Sequence, residues 1–333
     1  MFALVLDQSG IKIDKKYPSP ECPPGFVRLS VQKAGICSTD IQLIDGLYAF
    51  KGVLGHEFVA TVIEDNCDSN SNIFPGDVVV GEINIACQRC SRCKQGIRKH
   101  CSNRSVIGIR GHDGAFAEEI VLPIENLHRV PRDIDTSALV LTEPLAAVFD
   151  ILNKVDITPQ STVAIIGDGK IAQLACRVLT QYTAHLTVIG KHQDKLARLP
   201  AGIYRQLVDE QIGTEYDLVI ECSGSTSGFH SALNIVRPMG KIVIKSTYRK
   251  QLSFHVHDLV VNEIEVIGSR CGNFRAALDY LAIHNNSVEL LQLIDAEFDL
   301  SDAVNAVEYA KRPNTMKVVL NMDSPVYRAA RDP

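Results

Sequence analysis

What this 333-residue chain lacks narrows its possible roles first. It has no excess of positive charge: 34 Lys and Arg stand against 39 Asp and Glu, a formal net charge of −5. A basic face for nucleic acid or an anionic membrane surface is therefore not expected. No apolar run approaches the roughly 20 residues of a bilayer-spanning helix, so no membrane partner is expected. The opening segment MFALVLDQSGIKID has no basic stretch followed by a long apolar one. It reads as a strand, a turn at Ser9-Gly10 and a second strand rather than an export signal. There is no internal repeat and no low-complexity linker.

What is present is an ordinary globular composition, 46% hydrophobic and 22% charged, with ten cysteines. The length suffices for roughly two domains, each with its own core. Four of the cysteines crowd between Cys87 and Cys101, and the rest are scattered. In a chain of this size without an export signal, such crowding favours metal binding in a reducing compartment over a disulfide framework. A cytoplasmic location is expected.

The hydrophobic pattern changes along the chain. Val27 to Cys37, Phe58 to Glu64 and Asp77 to Ile83 alternate as half-buried strands do, with a turn signal at Pro75-Gly76-Asp77. After Pro144 the spacing becomes helical in LAAVFDILNKV. Strand-like and helix-like segments then alternate through STVAIIGDG, IAQLACRVLTQY, HLTVIG, YDLVIECSG, KIVIKS and IEVIGS, the signature of a parallel sheet covered by helices. Two further helices, NFRAALDYLAIHN and DAVNAVEYAKR, and a strand, MKVVLNM, close the chain. The fold class is α/β, with a β-rich part at the start.

Cys87, Cys90, Cys93 and Cys101 lie in CQRCSRCKQGIRKHC. Four thiolates at this spacing can close the tetrahedral shell of one Zn²⁺, leaving no open position, so this site is expected to be structural. The neighbouring Arg89, Arg92, Lys94, Arg98 and Lys99 read as a solvated face that offsets the negative sulfurs. A second set, Cys37, His56, Glu57 and Glu143, offers a thiolate, an imidazole and carboxylates, the kinds of donor that make a three-ligand zinc site with one position open. Singly these residues say little, since a lone Cys is usually a small buried hydrophobe.

Gly167, Gly169 and Ala172 form G-x-G-x-x-A between a strand and a helix, the context in which such a turn cradles a pyrophosphate at the helix N-terminus. Lys170 and Ile171 open that helix and belong to the same candidate cradle. Asp168 is unusual beside a diphosphate and is expected to point to solvent. At the end of the second strand, where NAD binders place an acid for the ribose hydroxyl, the chain has Gly190, Lys191 and His192. This predicts a preference for NADP(H). The alternative is an exposed Lys191, with Asp194 or backbone serving NAD(H). Cys222 and Ser223 end a later strand and are further cofactor candidates. His255 and His257 alternate in SFHVHD as if on one strand face, read as surface residues rather than ligands.

Taken in order, GICSTD, GHE, CQRCSRCKQGIRKHC, DGAFAEE, EPLA and IIGDGKIA resemble the zinc-containing medium-chain dehydrogenases, over nearly the whole chain. The branch most similar is that of polyol, threonine and glucose dehydrogenases. The resemblance implies a GroES-like catalytic domain over residues 1–145 and 271–333, and a Rossmann domain over 146–270. It implies two zinc ions. Cys37 and His56 would hold the catalytic one, with either Glu57 or Glu143 as third ligand. Thr39 would be the hydroxyl that passes the alcohol proton outward, and Asp40 the carboxylate that orients the histidine. Lys317 would be a basic residue near the pyrophosphate. An alcohol or carbonyl substrate and a homodimer or homotetramer are implied as well. Ser38 and Ala60 stand where glycine is common in the family. Leu43, Tyr48 and Ile83 are candidate pocket residues by their closeness to the metal motifs. A biosynthetic carbonyl or iminium reductase would need the same ligands. A non-catalytic protein of this fold, or a zinc-free quinone reductase, would not.

Overall fold

The computed structural model describes all residues except 47–48, 68–71, 132–133, 211–212, 214, 249, 285–287 and 323–333. The chain divides into two compact units, Met1–Glu143 with Phe274–Pro333, and Pro144–Asn273.

The first unit is built on a seven-stranded sheet. Its central strand, Phe26–Gly35, turns Val27, Leu29 and Val31 inward, as the alternation of the sequence requires. It pairs antiparallel with Glu57–Asn66 on one side and with Lys317–Asn321 on the other. The registers place Gly35 opposite both Glu57 and Val319. Three segments far apart in sequence thus meet at one strand end. The core beneath includes Leu4, Leu29, Phe58, Phe116 and Leu122, joined by Leu300, Ala306 and Leu320 from the last part of the chain. Strand Ile294–Asp299, which lies parallel to Lys317–Asn321, was not signalled by the sequence; its burial pattern is intermediate nearly throughout. The opening hairpin, Ala3–Asp7 with Gly10–Asp14, forms as its sequence indicates.

The second unit is a six-stranded, all-parallel sheet. Counting its strands from Val163–Ile166, their order is 3-2-1-4-5-6, the doubly wound arrangement whose switch point lies between strands 1 and 4. Val163–Ile166 is buried along its whole length, as a central parallel strand covered on both faces must be. Helix Lys170–Leu179 follows it directly. The buried Gln173 and Arg177 of that helix hydrogen-bond within the unit. Gln173 Nε2 donates to Lys195 O at 2.8 Å, and Arg177 donates to Gln173 Oε1 and Arg198 O, each at 2.8 Å. His255 and His257 do not share a strand face: His255 caps helix Val256–Val261 and His257 sits in its first turn, both exposed. None of the described helices is long and apolar enough to cross a membrane.

Candidate active site

Cys37 lies two residues beyond the central strand, at the N-cap of helix Ser38–Ile44. Asp40, fully buried in that helix's first turn, reaches back so that Oδ2 accepts the Cys37 N–H at 2.8 Å. Its other oxygen accepts the Gly55 N–H at 3.2 Å and stands 3.3 Å from His56 Nδ1. One carboxylate therefore binds the cysteine backbone and sets its negative charge against the imidazole. Burial by itself lowers the pKa of His56; the charge and hydrogen bond of Asp40, with Cys37 beside it, outweigh this and raise it well above the ordinary value. Thr39 Oγ1 is 3.7 Å from Cys37 Sγ.

Cys37, His56 and Glu57 present ligand atoms that all lie within 4.8 Å of one another, with His56 and Glu57 buried and Cys37 half-buried. The donor set and spacing fit Zn²⁺ with one position left open. Glu143 is not in this group. It stands half-buried in the first turn of helix Thr142–Leu152, so of the two carboxylates implied as third ligand, Glu57 is the one the fold brings to the cysteine and histidine. Glu57 is also ion-paired to Lys317, whose side chain is completely buried and whose ammonium also donates to Ile36 O at 3.3 Å. Lys317, expected near a pyrophosphate, is thus placed against the candidate metal group. Gly35 makes this approach possible: a Cβ there would lie 2.8 Å from Glu57 Oε2 and 3.2 Å from Lys317 Cδ.

The four-cysteine lobe is assembled as its spacing indicates. Cys90 caps the short helix Ser91–Lys94, the turn Arg98–His100 leads to the buried Cys101, and the four sulfurs lie within 4.8 Å of one another. Cys90 Sγ is 3.5 Å from Cys93 Sγ and 3.8 Å from Cys101 Sγ. A ZnS₄ tetrahedron with bonds of about 2.3 Å has edges of about 3.8 Å. Backbone amides of Ser102 and Cys93 lower the Cys90 thiol to about 6, which prepares a first thiolate. Four thiolates so close repel one another and require a cation in their midst.

In the parallel-sheet unit, Gly167 has φ +123°, and a Cβ there would lie 3.0 Å from the backbone of Cys222 and Ser223. The turn therefore sits tight against the neighbouring strand end, at the switch point. Gly169 is the N-cap of helix Lys170–Leu179, and Ala172 is buried where the helix meets the sheet.

Comparison with known proteins agrees with both units. Residues 23–132 match the alcohol dehydrogenase GroES-like domain, and residues 171–283 match the zinc-binding dehydrogenase domain. The chain is 28% identical over 343 residues to sorbitol dehydrogenase of Halalkalibacterium halodurans, covering 96% of this chain and 99% of that one. It is 25% identical to D-xylulose reductase A of Aspergillus oryzae, with 88% of each covered. A solved structure from Sinorhizobium meliloti, described as a zinc-binding dehydrogenase bound to NADP, matches with a TM-score of 0.87 at 26% identity, covering 96% and 98% of the two chains. The chain belongs to the zinc-type medium-chain dehydrogenases. The GroES-like and Rossmann architectures are those of this family, as are zinc and a nicotinamide cofactor.

The remaining candidates of this dehydrogenase fall unevenly. Cys222 Sγ donates to Ile166 O at 3.3 Å, and burial, with Glu221 beside it, pushes its thiol up, so it packs as a neutral group. Ser223 Oγ donates to Glu221 Oε1 at 2.5 Å. Tyr248 OH donates to Glu221 Oε2, also at 2.5 Å, so the fully buried Glu221 is an anchor of this strand end that sequence reading passed over. Leu43 is a core residue and Ile83 is buried, while Tyr48 lies outside the described residues. Asp168 does not point to solvent: it is buried and turned onto Lys191 and His192. The strand end at Gly190, read as having no acid, has one supplied from the preceding loop.

For the lobe, replacing Cys93 by Ser is expected to remove one zinc per chain and lower the melting temperature by at least about 5 °C. Metal analysis and calorimetry check this. An unchanged zinc content would overturn the assignment.

Proposed function

We propose that this dehydrogenase oxidises a small polyol or related secondary alcohol, and reduces the matching ketone, using a nicotinamide dinucleotide. The observation that carries this reading is the Cys37–His56–Glu57 group, a three-donor set with a position left for substrate oxygen. The sorbitol and xylulose enzymes among its relatives support a polyol as the substrate class. Zinc held there supplies a Lewis acid for the substrate oxygen, and the dinucleotide supplies the hydride acceptor. The chain's own residues do the rest. Asp40 holds His56 in one orientation, and Lys317 holds Glu57. Thr39, beside Cys37 Sγ, carries the hydroxyl proton away from the substrate. The Gly167–Ala172 turn, with Lys170 and Ile171, receives the pyrophosphate in the parallel-sheet unit. The first unit is the catalytic one, and the second binds the dinucleotide. The four-cysteine lobe holds the second, structural zinc.

The test is a purified, zinc-loaded protein assayed with sorbitol, xylitol and simple secondary alcohols, with NAD⁺ and NADP⁺ in parallel. Turnover with polyols above that with simple alcohols supports the reading. No oxidation of any alcohol and no reduction of any ketone by a protein carrying two zincs would overturn it.

The same chemistry fits a cytoplasmic enzyme, because a reducing compartment keeps the lobe's cysteines as thiolates for zinc rather than as disulfides. A homodimer or homotetramer formed through the second unit is also part of this proposal. Strand Glu265–Gly268 is an edge of the parallel sheet, and Val256, Val260 and Val261 nearby are 63%, 68% and 62% exposed. An unpaired edge beside such apolar side chains is a surface that association covers. Val260→Asp is expected to shift the protein to monomers by light scattering. An unchanged oligomer, or a wild type already monomeric, would count against this interface.

A further inference from the structure

Strand Leu186–Gly190 ends without an acidic side chain of its own, and Gly190 has no space for one. A Cβ at Gly190 would lie 2.7 Å from Asp168 Cβ and 2.8 Å from Asp168 Oδ2. The carboxylate in that space comes from the glycine-rich turn after the adjacent strand, Val163–Ile166. We propose that Asp168 is the residue that discriminates between NAD(H) and NADP(H): its carboxylate, lent from the first strand of the sheet to the end of the second, accepts from the adenosine ribose and disfavours a 2′-phosphate. The inference rests on the dinucleotide reading above.

The carboxylate is fixed in place. Oδ2 accepts the N–H of Lys191 at 2.7 Å and that of His192 at 2.8 Å. The His192 ring nitrogen Nδ1 stands 2.9 Å from Oδ2 and 3.1 Å from Oδ1. A carboxylate offers about four lone-pair sites, and most of these contacts fall on Oδ2, so Oδ1 keeps acceptor capacity. The position matters because a dinucleotide-binding unit of this strand order reads the ribose at the end of its second strand. The opposing charge is Lys191, exposed beside it. Asp168 and Lys191 thus act in opposite senses on a 2′-phosphate, and removing the carboxylate leaves the lysine unopposed. The sequence hid this arrangement because the acid is 22 positions away from the glycine whose place it fills.

The experiment titrates NADH and NADPH into the zinc-loaded protein and into D168N by calorimetry. It repeats the titration with 5′-AMP and adenosine 2′,5′-bisphosphate, which contain no nicotinamide. Asn keeps the shape and an acceptor for the Lys191 and His192 amides, so a purely structural role for Asp168 leaves the preference unmoved. The expected result is a rise of at least about tenfold in the affinity ratio of NADPH to NADH, with the two fragments moving in the same sense. An unchanged ratio in folded D168N overturns the proposal while leaving the dinucleotide reading intact. Failure of both dinucleotides to bind the wild type overturns both. Should D168N not fold, D168S carries the same comparison.

Discussion

Replacing Cys37 by Ser, or His56 by Ala, is expected to lower kcat/KM by at least about a thousandfold while dinucleotide affinity stays within about twofold of wild type. The reason lies in how these side chains are held. Cys37 and His56 share one buried carboxylate, Asp40, which binds the Cys37 amide and stands against the His56 ring. Among the described residues the group within 4.8 Å is Cys37, His56 and Glu57, and Glu143 is not part of it. Serine lacks the soft thiolate and alanine lacks any donor, so either change is expected to leave about one zinc per chain, the one in the lobe. The candidate dinucleotide residues Gly167 to Ala172 belong to the other unit, which has its own core of Ala164, Ile166, Val219 and Ile242. Metal analysis, dinucleotide titration and steady-state kinetics on the same preparations check the three parts. A Cys37 variant with full zinc and near wild-type turnover would overturn the catalytic assignment.

Lys317→Met is expected to destabilise the first unit by about 3–5 kcal/mol, seen as a lower urea midpoint. Lys317 and Glu57 are 0% and 1% exposed at their side chains and form an ion pair at the junction of three strands. Deleting the cation leaves Glu57 as a buried charge without its ammonium partner, and that is costly where water cannot reach. The double change Lys317→Met with Glu57→Leu is expected to recover part of the loss, because two apolar groups of similar volume leave no stranded charge. Zinc analysis of the single variant separates two roles. If Lys317 also positions Glu57 toward the metal, zinc affinity falls with stability. If the pair is only structural, zinc content holds. A midpoint unchanged from wild type would remove Lys317 from the support of the site altogether.

Much of the molecule was legible in the residues alone. The four-cysteine lobe was readable because all its ligands lie within 15 positions, so spacing dictates geometry. The glycine-rich turn was readable because strand, turn and helix are contiguous, and the parallel sheet because buried strands are nearly continuous apolar runs. Cys37, His56 and Glu57 were visible as motifs, but that Glu57 rather than Glu143 joins the other two depends on the register Gly35↔Glu57, which no local pattern states. Lys317, a basic residue in the strand-like MKVVLNM, gave no sign that it would be buried against Glu57, 260 positions away. That Asp168 turns inward is not visible in the local glycine-rich turn, because the space beside Gly190 that its carboxylate fills belongs to the next strand. Which donors and turns exist follows from residue chemistry and short spacing along the chain. Which carboxylate meets which partner does not, because a side chain's neighbours across a sheet are set by strand order and register in the folded protein.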